Sequence, residues 1–169
     1  NSVTEHIDLH KMAWVVFALV VALVAQCHSA ELSHGRQAQK DNKADMNDVH
    51  FLLWTRDNSD DVGYYELLIN DATNLAASNF DGTRPTHVLA HGWNSNGRDN
   101  WPAAAKTELL SYYDCNVISV NWENIAGNVD YFAVVNSLPQ VGQHVASFLD
   151  YLHDQAGLDV TTVHITGHS

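Results

Sequence analysis

The sequence predicts an α/β fold with a mainly parallel central sheet and flanking helices, and three observations carry that expectation. Apolar runs of strand length alternate with stretches of helical periodicity through the second half of the chain, which implies crossover connections between parallel strands. In the first half two strand candidates lie closer together, a spacing that suits antiparallel pairing. The composition is the third observation: 169 residues, 46% hydrophobic and 17% charged, suffice for one domain with a core and argue against disorder.

The elements follow in chain order. Val49 to Thr55 is a β-type run closed by the turn-rich stretch from Asp57 to Gly63, and Tyr64 to Ile69 makes a second strand. Asp81-Gly82 and Pro85 are turn residues that introduce a short strand, Thr86 to Ala90, which empties into His91-Gly92-Trp93. A helix is expected from about Trp101 to Tyr113, followed by a buried strand from Asn116 to Trp122. The clearest helix comes next, because Val141, Val145, Phe148, Leu149 and Leu152 share one face at a period of 3.6 residues. Ser137 to Gln140 has capping-box spacing with Pro139 in the first turn, and Gly157 suits a left-handed C-terminal cap. Thr162 to Thr166 reads as the last strand, and no internal repeat is present.

Ahead of these elements the chain changes character. Ala13 to Ala25 is an apolar run of thirteen residues after Lys11-Met12, followed by the small and polar Cys27 to Ala30. That is the pattern of a secretory signal, and it is too short for a transmembrane anchor, which needs roughly 20 apolar residues. The expected organisation is untranslated read-through over 1–11, a signal peptide over 12–30, a polar linker over 31–47 and the folded domain over 48–169. A secreted, extracellular protein follows. Cys115 is then the lone cysteine of the mature part, which points to a partner cysteine outside the chain. Eight Lys and Arg against twenty Asp and Glu give a net charge of −12, spread along the chain, so nucleic acid is not an expected partner.

Two short motifs carry chemistry. The chain ends in Gly167-His168-Ser169 after an apolar strand, the first three residues of a G-x-S-x-G nucleophile elbow, in which small neighbours fit the tight strand-to-helix turn. Alone it is a weak signal, since a surface turn often holds Gly and Ser. The elbow chemistry needs hydrogen-bond donors for an oxyanion, one of them from the loop after an earlier strand. His91-Gly92-Trp93 stands in that position: Gly92 lets the backbone pass close by, and the amide N–H of Trp93 is the candidate donor. The plain alternative is a strand-ending turn with a structural His91. His87, His144, His153 and His164 are expected to be surface or packing residues, with no metal-ligand spacing among them and no cofactor implied.

Phe51 to Thr55, Asn79-Phe80, His91-Gly92-Trp93, Val120-Asn121-Trp122, Val141-Gly142 and Val163 to Ser169 together resemble the pancreatic lipase-type family in order and spacing. The resemblance covers nearly everything after the polar linker. Trp after His-Gly is similar to the insect branch, which includes phospholipases of the A-one type, where pancreatic lipase has Phe. The resemblance implies an α/β-hydrolase fold and a Ser-Asp-His triad in that chain order. Ser169 is then the nucleophile, Trp93 supplies one oxyanion N–H and the residue after Ser169 the other, while His91, Gly92, Gly167 and His168 support the site. The triad Asp and His would follow Ser169, so the chain is expected to be the N-terminal part of a longer protein and inactive by itself.

Hydrolysis of carboxylic ester bonds of lipids is the function this implies, with a lipid ester or a lipid–water interface as partner. A non-catalytic lipid-binding or yolk-storage relative is the competing class, against which Ser169 speaks. Triacylglycerol and phospholipid substrates are not separated by these residues.

Overall fold

A computed structural model describes residues 44–168. The expected read-through, signal peptide and most of the polar linker, together with Ser169, lie outside the described residues. The last linker residues take part in the fold: a 3-10 turn spans Met46–Asp48, Ala44 and Met46 pack against the core, and Gln140 Nε2 donates to Ala44 O.

Five strands form one mixed sheet. β1 (His50–Trp54) and β2 (Tyr65–Leu67) pair antiparallel, as their close spacing predicted. β3 (Thr86–Ala90), β4 (Asn116–Asn121) and β5 (Val163–Gly167) run parallel, and the spatial order is β2-β1-β4-β3-β5. All six residues of β4 are buried, because it lies inside the sheet with both faces covered. β5 is an edge strand among the described residues, paired with β3 on one side, and its Ile165 is 41% exposed.

Alternating side chains divide the core into two layers. On one face Phe51, Leu53, Val88, Ile118 and Val120 meet the long helix, whose Val134, Val141, Val145, Phe148 and Leu152 are buried. Phe51 and Phe148 lie face to face, ring centroids 3.7 Å apart, and burying each such side chain stabilises the fold by about 1.5–3 kcal/mol. On the other face Leu52, Trp54, Leu89 and Val117 pack against Leu110 of a second helix, Asn100–Tyr112. Cys115 belongs to this layer at 0% exposure, and burial raises its thiol pKa. It packs as a small hydrophobe, a reason for its presence that involves no partner cysteine.

The helices in chain order are α1 (Ala72–Ala77), α2 (Asn100–Tyr112), α3 (Glu123–Ala126) and α4 (Tyr131–Ala156). α1 and α3 have no counterpart among the elements expected from the sequence, because they are too short to show periodicity. α4 also starts earlier than the capping-box spacing at Ser137 to Gln140 implies. Asp130, not Ser137, caps the helix, its Oδ1 accepting from the amides of Phe132 and Ala133. Ser137 instead donates its hydroxyl to Ala133 O, one turn back inside the helix. Pro139 therefore sits in the interior, where its missing N–H and ring oppose helix. Val134 and Val141, seven residues apart on the buried face, carry the helix across it. Gly157 caps the other end with φ +66°, as predicted.

Candidate active site

Parallel pairing brings the two motifs together. Ala90 at the end of β3 is in register with Gly167 at the end of β5, and the ladder runs one step further through His168 N–H to Ala90 O at 3.0 Å. His91-Gly92-Trp93 and His168 thus leave adjacent strands side by side, at the carboxyl end of the parallel part of the sheet. Ligands of open α/β sheets bind outside that end. Two helices also begin there. Trp101, in the first turn of α2, lies with its ring 6.0 Å from that of His168, and Tyr131, at the start of α4, meets Trp93 edge-on at 5.2 Å.

The loop after β3 is fastened along its length. His91 is 1% exposed, with Nδ1 3.0 Å from Gly92 O, and its Nε2 accepts the Trp122 amide N–H at 3.1 Å. The Trp122 indole N–H donates back to His91 O at 2.8 Å, and the two rings stack. Further on, Asn94 N–H donates to Ala126 O, the Trp93 indole N–H to Asn128 O, and Gly97 N–H to Asn121 Oδ1. Gly97 is required by close approach, since a Cβ there would overlap Ser119 Oγ and crowd Asn121. These anchors come from residues 121–128, the last residue of β4 and the segment that follows it. Asn121 and Trp122 were visible in the sequence as part of a motif, but their role as anchors was not, because it depends on β4 lying beside β3.

Within this fastened loop the backbone N–H groups of Gly92 and Trp93 find no acceptor among the described residues. Trp93 itself is 48% exposed. Unspent amide donors at a strand end, held by bonds on both sides, can stabilise negative charge that develops on a substrate oxygen. Burial lowers the His91 pKa, with the Gly92 carbonyl, the Glu123 charge and Asn121 opposing.

The remaining histidines have other surroundings. His87 and His164 stack across β3 and β5 at 5.1 Å, His144 stacks on Phe51, and His153 Nδ1 lies 2.9 Å from Leu158 O. A cavity of about 290 Å³ lined by Arg56, Ser59, Thr107, Leu110 and Ser111 opens at the opposite end of the sheet, next to the end of β1, and has no part in this arrangement. Among the described residues no group of three or more His, Cys, Asp or Glu is placed to hold a metal, and no helix is long and apolar enough to cross a membrane.

This mixed sheet, with a donor loop after one parallel strand and a Gly-His turn after its neighbour, corresponds to the first part of an α/β-hydrolase fold. The chain belongs to the lipase family, whose family model, described as Lipase, matches residues 18–169. It is 32% identical over 126 residues to a pancreatic triacylglycerol lipase of Ictidomys tridecemlineatus, covering 75% of this chain and 26% of the relative. It is 33% identical over 122 residues to pancreatic lipase-related protein 2 of Bos taurus, covering 72% and 25%. An inactive pancreatic lipase-related protein 1 of Homo sapiens is 31% identical over 121 residues, covering 72% and 25%. The chain spans about a quarter of the length of these relatives. Relatives named as lipases and as inactive stand at the same distance, so similarity alone does not decide catalysis.

Proposed function

We propose that this chain carries the nucleophile and half of the oxyanion hole of a secreted serine hydrolase that cleaves carboxylic ester bonds of lipids. The observation that supports the reading is the register of β3 with β5, extended by the His168–Ala90 bond, which brings the Gly167-His168 end of β5 next to the end of β3, where the Trp93 amide has no acceptor among the described residues. Ser169 follows His168 in the sequence and is the nucleophile of this reading. Its hydroxyl attacks the ester carbonyl and gives its proton to a histidine oriented by an aspartate, both of which the family resemblance implies later in the whole protein. The tetrahedral oxyanion accepts from Trp93 N–H and from the amide after Ser169. Collapse expels the alcohol, and water then releases the acid from the acyl-enzyme.

The inactive relative favours one second reading, a non-catalytic lipid-binding homologue. A single expression experiment separates them. The whole protein is secreted from animal cells, its mature N-terminus is read, and a soluble ester is assayed with wild type and Ser169→Ala. Cleavage between Cys27 and Glu31 is expected, with turnover reduced in the variant to the residual level left by binding and the oxyanion hole. Near-normal turnover by the variant removes Ser169 as nucleophile, an inert wild type that still binds lipid establishes the second reading, and retention in the cytosol removes secretion.

A further inference from the structure

We propose that His91 is a positioning residue that aims the Trp93 amide at the oxyanion, a role that rests on the ester-hydrolase reading of this site. One peptide plane links the two residues. Trp122 N–H donates to His91 Nε2, so Nε2 is an acceptor and the proton of the neutral ring resides on Nδ1. Nδ1–H then donates to Gly92 O, 3.0 Å away. The Gly92 carbonyl and the Trp93 N–H belong to the same planar unit, which is trans like every peptide bond of the described residues. In a trans unit the two dipoles point in opposite directions. Fixing Gly92 O toward the His91 ring therefore turns Trp93 N–H away from it, a donor with no acceptor among the described residues.

Trp122 holds His91 by three contacts, two of them to the ring. Trp122 contributes its amide to Nε2, its indole N–H to His91 O at 2.8 Å, and its face to a stack with centroids 5.4 Å apart. Both nitrogens are engaged and the residue is buried, which leaves no nitrogen to move a substrate proton. The chain of control is thus β4 to Trp122, Trp122 to the His91 tautomer, and the tautomer to the peptide plane that bears the donor.

Three variants of the whole protein test this. His91→Asn keeps a side-chain N–H at the position of Nδ1, next to Gly92 O, and loses the acceptor for Trp122. His91→Gln places its amide at the position of Nε2 and restores that acceptor, but has no donor near Gly92 O. His91→Leu has neither. Readouts are kcat and KM on a soluble ester, melting temperature, and the direction of the Trp93 N–H bond from its residual dipolar coupling relative to β3 and β4 amides. The expected result is that Asn keeps kcat within a few-fold and preserves the bond direction. Gln and Leu should lose roughly tenfold or more in kcat at little-changed KM, short of the roughly 10²–10³ for complete loss of an oxyanion donor. Their Trp93 coupling should depart from the wild-type value. A kcat that follows melting temperature across the three, or a Trp93 direction that Gln preserves, overturns the proposal. If the wild type hydrolyses no ester, the ester-hydrolase reading fails, and the Trp93 coupling in the three variants still decides whether His91 aims the amide.

Discussion

Gly92 and Gly97 flank the exposed Trp93 in a loop whose Asn94 and Gly97 amides and Trp93 indole donate to residues 121–128. Gly92 is buried and its carbonyl is the one that faces the His91 ring. A β-branched side chain at Gly92 restricts the backbone, so Gly92→Val in the whole protein is expected to impair turnover by displacing the Trp93 amide. The bound on the effect is the loss of one oxyanion donor, about 3 kcal/mol of transition-state stabilisation. An unchanged kcat/KM would show that this loop is not the oxyanion loop. His91-Gly92 was legible in the sequence as a candidate because Gly after a strand marks a close backbone approach. Which way the Trp93 N–H points was not legible, since on this proposal it depends on His91 and on its bond from Trp122, thirty-one residues after His91.

At the scale of elements, α4 shows where local pattern and tertiary packing part. Its apolar face and Gly157 cap are written in the sequence, while its start was misplaced at a plausible capping box around Pro139. The two candidate caps make different predictions. Asp130→Ala removes the bonds to the Phe132 and Ala133 amides and is expected to lower stability by about 1 kcal/mol. Ser137→Ala removes only a hydroxyl bond to Ala133 O within the helix and is expected to change stability by less than about 0.5 kcal/mol. Urea midpoints of the two variants check this, and the reverse order would restore Ser137 as the cap. Close packing of elements adds constraints that no local pattern shows. A Cβ at Gly82 would overlap the Ala156 carbonyl oxygen at the end of α4, and Lys106 of α2, almost fully buried, reaches Ser59 O and Asp61 from beneath the Trp54 ring.

Across the described domain, acid sensitivity follows from three histidines whose pKa values lie below the ordinary 6.5. His87 is lowered by burial and then by the neighbouring His164, His91 by burial against opposing bonds, and His144 by burial. The folded state therefore binds fewer protons at these sites than the unfolded chain. Their contribution to stability is present in full above pH of about 6.5 and is lost as pH falls from there through the folded pKa values. Denaturation midpoints between pH 8 and 5 should decline on the acid side, and His87→Gln should make the decline shallower. A midpoint that rises on acidification through this range contradicts the assignment.

The sequence by itself determined the α/β class, the strand segments, the apolar face of α4 and the two motifs at strand ends. These are local properties: period, turn chemistry and chain order depend on neighbours within a few residues. It also carried the family, through motifs in order, which the match over residues 18–169 establishes. Only the tertiary structure decided that β4 lies between β1 and β3, and that decision places Asn121, Trp122, Ala126 and Asn128 against the donor loop. It likewise made Cys115 a core residue and carried α4 through Pro139. Each of these rests on free energy shared between segments far apart in the chain: burial between layers, and hydrogen bonds that exist only when two strands are neighbours. A linear pattern names such residues but holds no term for the partner that gives them their role.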